Sequence, residues 1–249
     1  MKTRMRTNFS KLTIMVLILV LFNGCKKEED DIAPIEFNPA VTYGTMTDQD
    51  GNVYRTVTIG TQEWMAENLR TTKYRNGDHI SMLDGESKWK NAISGACCCY
   101  DNEMRYIAVY GLLYNHYAVS DSRDLAPEGW HVATNHDWEF LFGHLGGIGV
   151  AGQKLKEQGP GHWHGSNEGT NESGFTALPG GYRFQWQIIT NGSWDYGSIG
   201  TDGMWWTADG GVWISSSLTE LYEIDSGLGL KYGRSVRCVR DQVSSELPE

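Results

Sequence analysis

The sequence predicts a turn-rich β or α+β domain rather than a helix bundle, and three observations predict it. Thirty glycines, ten tryptophans and twelve tyrosines in 249 residues supply turns and large flat side chains in unusual number. Several segments alternate polar and apolar residues, the signature of half-buried strands. One stretch only, Trp138 to Leu145, repeats its apolar residues at helical spacing behind a cap signal. The part of the chain beyond its leader and tether, about 210 residues, suffices for one domain with a sizeable core.

The leader comes first. Met1 to Lys11 carries Lys2, Arg4, Arg6 and Lys11 and no acid, and Leu12 to Phe22 is an unbroken apolar run closed by Asn23-Gly24-Cys25. A basic region, a short apolar region and a small residue before the break describe an export signal over residues 1–24. At about 1.5 Å per residue the run spans roughly half a hydrocarbon core, too short for a stable transmembrane helix. Leu21 to Cys25 resembles a bacterial lipobox, which makes Cys25 the expected lipidation site; the alternative is an ordinary secretory signal with a chance cysteine. Two or three acyl chains make such an anchor effectively permanent. Lys26 to Asp31, followed by Pro34 and Pro39, then reads as a charged, solvated tether over residues 25–42. It resembles the acidic export tag of some Bacteroidota lipoproteins, implying an outer-membrane protein displayed on the cell surface. As a plain spacer it leaves the body facing the periplasm.

Val41 to Thr47 and Asn52 to Ile59 alternate around Asp48-Gln49-Asp50-Gly51, which predicts a β-hairpin. Asp48, Asp50 and Asn52 also mimic the start of a calcium loop, but Ile59 stands where such a loop needs a bidentate Glu. Thr61 to Leu69 reads as a strand end passing into a turn, and residues 76–105 as irregular. Tyr110 to Val119 reads as a buried strand followed by a short helical turn. Thr134 as N-cap with Asp137 three residues on opens the one amphipathic helix, which ends at Gly146-Gly147. Beyond it come short strands and loops, around Leu178 to Arg183, Trp205-Trp206, Val212 to Ile214 and Ser235 to Arg240, then a polar tail over 242–249.

Charge and cysteines bound the chemistry. The chain holds 31 acids against 21 bases, net −10; without the four leader bases, 17 bases remain and the net is −14. A body this acidic is a poor partner for nucleic acid or anionic lipid. Export permits disulfides, so one of Cys97, Cys98 and Cys99 paired with Cys238 is the economical expectation, with a metal cluster as the alternative. Adjacent cysteines alternate across a strand and cannot converge on one ion.

The residues also carry a family likeness. Gly51 to Tyr54, Thr58 to Leu69, Tyr110 to Val119, Gly129 to Val132 with Trp138, Gly174 to Arg183, Trp205 to Ala208 and Ser235 to Asp241 resemble, in order, the Fibrobacter succinogenes major paralogous domain. The resemblance covers residues 43–241 and implies an exported, often lipid-anchored protein whose molecular function is unassigned. Trp130 to Glu139 and the closing Ser235 to Arg240 further resemble C-type-lectin-like domains and formylglycine-generating enzymes. That implies an α+β fold of short twisted antiparallel strands, one or two helices and long ordered loops. Ala133 replaces the usual proline before Thr134, and Cys97 and Cys99 stand where aromatics are usual, so the resemblance implies a disulfide between Cys98 and Cys238.

Two functions are expected from this, a binding or adhesion module and an enzyme of unknown type on the formylglycine-generating-enzyme-like fold. The lectin motifs Glu-Pro-Asn, Gln-Pro-Asp and Trp-Asn-Asp are absent from the sequence, as is a nucleophile elbow. No cofactor is expected. His162-Trp163-His164 could place two imidazoles on one strand face for a metal, without a third ligand in view. Aromatic rings stack on sugars and anchor interfaces, which singles out Tyr182, Trp186, Trp194 and Trp213, with Trp163 a weaker candidate. Trp130, Trp138, Trp205 and Trp206 belong to the motif strands and helix and are expected in the core. The expected partners are the membrane, through the lipid, and a glycan or surface protein.

Overall fold

The computed structural model describes residues 32–165, 168–185, 194–215, 219–223 and 228–242, and the predicted hairpin is its first regular element. β1 (Gly44–Thr47) pairs antiparallel with β2 (Val53–Ile59), Gly44 opposite Thr56 and Thr47 opposite Val53. The Asp48 carboxylate closes the turn, accepting from the Asp50 and Asn52 amides, the Asn52 side chain and, at 2.6 Å, the Tyr54 hydroxyl. Its lone pairs are committed within the hairpin, to two backbone amides and two side chains. β3 (Gln62–Met65) continues the meander and buries Trp64 and Met65.

Residues 76–105 hold more order than their polarity suggests. β4 (Ser81–Met82), α1 (Glu86–Lys90) and β5 (Ala96–Cys98) are each too short to leave a periodic pattern. Two 3₁₀ turns and α2 (Ile107–Tyr110) lead to β6 (Leu113–Tyr114) and α3 (His116–Val119), the strand and helical turn expected there. β7 (Trp130–Val132) feeds α4 (Asn135–His144), where Thr134 and Asp137 form the reciprocal capping box the sequence signals. α5 (Ile148–Leu155) follows it, a helix that the sequence signals do not place although the resemblance allows for one or two. Gly149 and Gly152 weaken its helix propensity, and burial of Ala151 and Leu155 overrides them.

The remaining strands are β8 (Gly180–Gln185), β9 (Trp194–Ile199), β10 (Asp202–Trp206), β11 (Gly210–Ser215), β12 (Thr219–Glu223), β13 (Ser235–Val236) and β14 (Cys238–Arg240). Three sheets result, ordered β1-β2-β3-β14-β7, β12-β11-β10-β8-β9 with β13 added to β10, and β4-β5-β6. The architecture is α+β. Among the described residues no helix is long and apolar enough to cross a membrane.

One buried cation ties the sheets together. Arg237, between β13 and β14, is fully buried and donates to the carbonyls of Met65, Phe175 and Thr176 and to the Asn68 side-chain oxygen. Asn68 also accepts from the Trp205 indole and donates to the Tyr110 carbonyl and Ser235 hydroxyl. Burial pulls the guanidinium down to about 9, which leaves it charged at neutral pH. Four acceptors around one fork satisfy polar groups that no water reaches.

The segment 32–42, expected within a solvated tether, instead lies against the body. Ile32 and Ile35 pack on Val109, Tyr110 and Leu178, while Phe37 and Val41 join the cluster around Trp64 and Trp138. The Arg55 guanidinium stacks 4.0 Å above the Phe37 ring. Charge counting hid these apolar residues, spaced among Pro34, Glu36 and Pro39.

Candidate functional site

β10 and β11 set one face of their sheet into the core and turn the other outward. Trp205, Val212 and Ile214 point inward to pack with Trp138 and Phe175. By strand alternation Asp202, Met204, Trp206 and Trp213 share the opposite face, with Met204 directly opposite Trp213. At one end this face is closed, because Arg234 lies 4.0 Å over the Trp206 ring and His116 meets that ring edge-on at 5.0 Å. At the other end it opens, and Met204, Trp213, Tyr182 and Phe184 are half-buried.

The rings there are held in place. The Trp213 indole donates to the Asp202 carboxylate at 3.0 Å. Tyr182 and Phe184 are two apart on β8, so they share a face, and their ring centroids lie 4.8 Å apart. Burial raises the Tyr182 phenol, whose hydroxyl meets the Ser198 side chain, with Asp202, Arg234 and Tyr232 also in its field. Gly181 explains how β8 approaches so closely: its φ is +62°, and a Cβ there would collide with the Gly197 carbonyl oxygen. This is an aromatic platform with one carboxylate, Asp202, among its rings.

Of the four aromatics singled out in the sequence, the platform brings together Tyr182 and Trp213. Trp194 lies on β9 with its backbone opposite Gln185, its side chain outside the described residues. Trp186 and the lipidation site Cys25 also lie outside the described residues. Trp163 is core, its indole bonded to the Ala177 carbonyl, and Trp130, Trp138, Trp205 and Trp206 are buried. Sequence reading missed Phe184, Met204 and Asp202. Phe184 was visible as the residue two beyond Tyr182; Asp202 could be found only from the pairing of β10 with β11.

A second concavity, about 340 Å³, lies beside the start of α4 and is lined by Gln62, His131, His136, Asp137, Phe140 and Arg240, among others. Its floor is already satisfied. His131 bridges Asp241 at 2.7 Å and Asp137 at 3.1 Å, Gln62 donates to Asp137, and Arg240 pairs with Glu63. The Asp137 bond raises the His131 imidazole, and Asp137 itself is held at about 2: burial opposes this, and His131 and Thr134 outweigh it. With both ring nitrogens engaged, His131 braces β7 against α4 and against Asp241, just past β14.

The cysteines correct an expectation. Cys98 and Cys238 are not bonded; Cys97, Cys98, Cys99 and Cys238 are all free and buried. Alternation along β5 sends Cys97 and Cys99 into the cluster that contains Cys238, and Cys98 into a different one with Trp89 and Tyr100. There Cys98 meets Arg183 and Tyr196; burial still pushes its thiol up to about 11, far from a reactive thiolate. The two imidazoles of the His162-Trp163-His164 run also diverge. His162 is buried against Glu157, and His164 is exposed. Among the described residues no group of three or more His, Cys, Asp or Glu side chains could hold a metal ion.

The family model of the Fibrobacter succinogenes major domain matches residues 57–240. The chain belongs to this family. No curated protein and no solved structure matches it. In this Fibrobacter succinogenes major domain the recognisable motifs are spent on the interior. Asn68 of the Thr58 to Leu69 segment, the Phe175 and Thr176 carbonyls, Trp205, Ser235 and Arg237 all belong to the one buried network. Tyr182 is the motif residue that reaches the platform; Phe184, Asp202, Met204 and Trp213 fall between motifs.

Proposed function

We propose that this domain is a non-catalytic glycan-binding module carried by an exported, lipid-anchored protein of the outer membrane. The observation that carries the reading is the half-exposed platform of Tyr182, Phe184 and Trp213, with the Trp213 indole fixed by Asp202. A fixed ring loses little conformational entropy when a sugar face stacks on it, and the half-buried Asp202 carboxylate stands where ring hydroxyls can be bonded. The leader, with Cys25 at its end, supports the export and anchoring. A C-type-lectin-like relationship agrees with short strands and long loops. The enzyme alternative has less support, because the polar cleft beside α4 is closed on itself and the thiols are buried.

The test is tryptophan fluorescence of the mature chain titrated with soluble polysaccharides of neutral and acidic type. The expected outcome is a saturable change, lost in Trp213→Ala and Tyr182→Ala while both variants melt close to the parent. Binding unchanged in the double variant sinks the platform as the site. A surface-protein ligand would show instead as retention of a purified outer-membrane protein with no response to any glycan.

A further inference from the structure

The chain enters the body through a buried ion pair. His162 and Glu157 have side chains 1 % and 0 % exposed, and Nδ1 of the ring lies 2.6 Å from the Glu157 Oε2 atom. Both groups also hold the incoming segment. His162 Nε2 lies 2.9 Å from the Ala33 carbonyl oxygen, and the other Glu157 oxygen accepts the Glu36 amide at 2.8 Å. Ile32 and Ile35 of the same segment pack on the cluster that contains Tyr110, whose ring stands edge-on to the imidazole at 5.6 Å.

A carbonyl and a carboxylate only accept, so the imidazole satisfies both partners only with hydrogen on both nitrogens. We propose that residues 32–37 form a proton-operated strap, held to the body while His162 is an imidazolium and released when the ring loses a proton. On release the Ala33 carbonyl or the Glu157 carboxylate is left without its donor, and a buried carboxylate without its counter-ion is costly. The titratable groups that face the ring are Glu157, Glu36 on the strap and Tyr110 on α2. Lys156, next to Glu157, turns away: its ammonium lies 5.3 Å from the Trp163 ring and 3.4 Å from the Ser215 carbonyl.

The sign follows from the pair. Burial lowers the His162 pKa, but Glu157 and the Ala33 carbonyl raise it further, and the net direction is upward from 6.5. A raised value means that the strap is fully held below the unfolded histidine value and is lost as pH rises through the folded one. Release frees residues 32–37, up to about 20 Å of extended chain at roughly 3.4 Å per residue. That length would be added to the tether.

Hydrogen exchange of the mature chain from pH 5.5 to 9, expressed as protection factors, tests this. The expected result is a protection factor for peptides over 32–37 that falls at least tenfold with rising pH while α4 peptides keep theirs. His162→Gln should flatten the strap profile. Glu36→Pro removes the donated amide, and with it the Glu36 carboxylate, while leaving His162 and Glu157 in place, and should expose the strap at every pH with the body still protected. Strap protection independent of pH in the parent overturns the proposal. So does a Glu36→Pro variant that loses protection in strap and body alike, since the segment would then be part of the cooperative fold.

Discussion

The network around Arg237 and the platform around Trp213 use the same residue types to opposite ends. In the network, Trp205, Asn68 and Arg237 are fully satisfied by one another and by backbone carbonyls, and no atom faces solvent. On the platform, Trp213 is half-exposed, with its one donor spent on orienting the ring. The first arrangement specifies a fold, because any displaced member strands its partners. The second leaves an apolar face free at fixed geometry. Several of the family's motifs therefore meet in the network, while the platform lies largely outside them.

The comparison predicts its largest effect at Arg237. Arg237→Ala strands four buried acceptors and should cost about 4 kcal/mol, enough to unfold many domains of this size at physiological temperature. Arg237→Lys should recover little, because an ammonium cannot reproduce the planar fork that reaches Met65, Phe175 and Thr176 together. Urea denaturation measures both. A stable Arg237→Ala protein would break the contrast at its strong end.

How much of this the sequence reveals follows the same division. The hairpin at Asp48, the capping box at Thr134 and the core positions of Trp138, Trp205 and Trp206 are legible because local chemistry determines them. Arg237 reads as a strand residue; its burial arises from carbonyls 61 to 172 positions away, which no local pattern encodes. The Cys98 to Cys238 disulfide failed for a related reason. Likeness to a motif located the cysteine, while alternation along β5 decided which way it faces. Tyr182 and Trp213 were found by residue type alone, and their shared face needed the register of β8, β10 and β11.

An intermediate effect belongs to the braced cleft. Asp137 is 14 % exposed and its folded pKa is about 2, against about 3.9 for an unfolded aspartate. A lowered value contributes stability that is present above the unfolded pKa and lost as pH falls through the folded one. That contribution is about 2 kcal/mol, lost between roughly pH 4 and 2. Asp137→Asn should remove it at neutral pH and flatten the acid limb of the stability curve. An unchanged limb would show that His131 and Thr134 do not hold the carboxylate as the geometry indicates. Thr134→Ala, which deletes the cap hydroxyl, should cost about 1 kcal/mol by thermal melting.

The smallest stability effect and the largest functional one should coincide at Trp213. Trp213→Ala removes a half-exposed ring and one hydrogen bond to a carboxylate that water can replace, so the loss should be about 1 kcal/mol or less. Asp202→Ala should be as mild, but it releases the ring that remains. If the platform binds by preorganised stacking, Asp202→Ala weakens affinity several-fold while Trp213→Ala abolishes it, and isothermal titration separates the two. Should Trp213→Ala instead unfold the domain as Arg237→Ala does, the ring is structural after all, and the platform joins the network as one more part of the core.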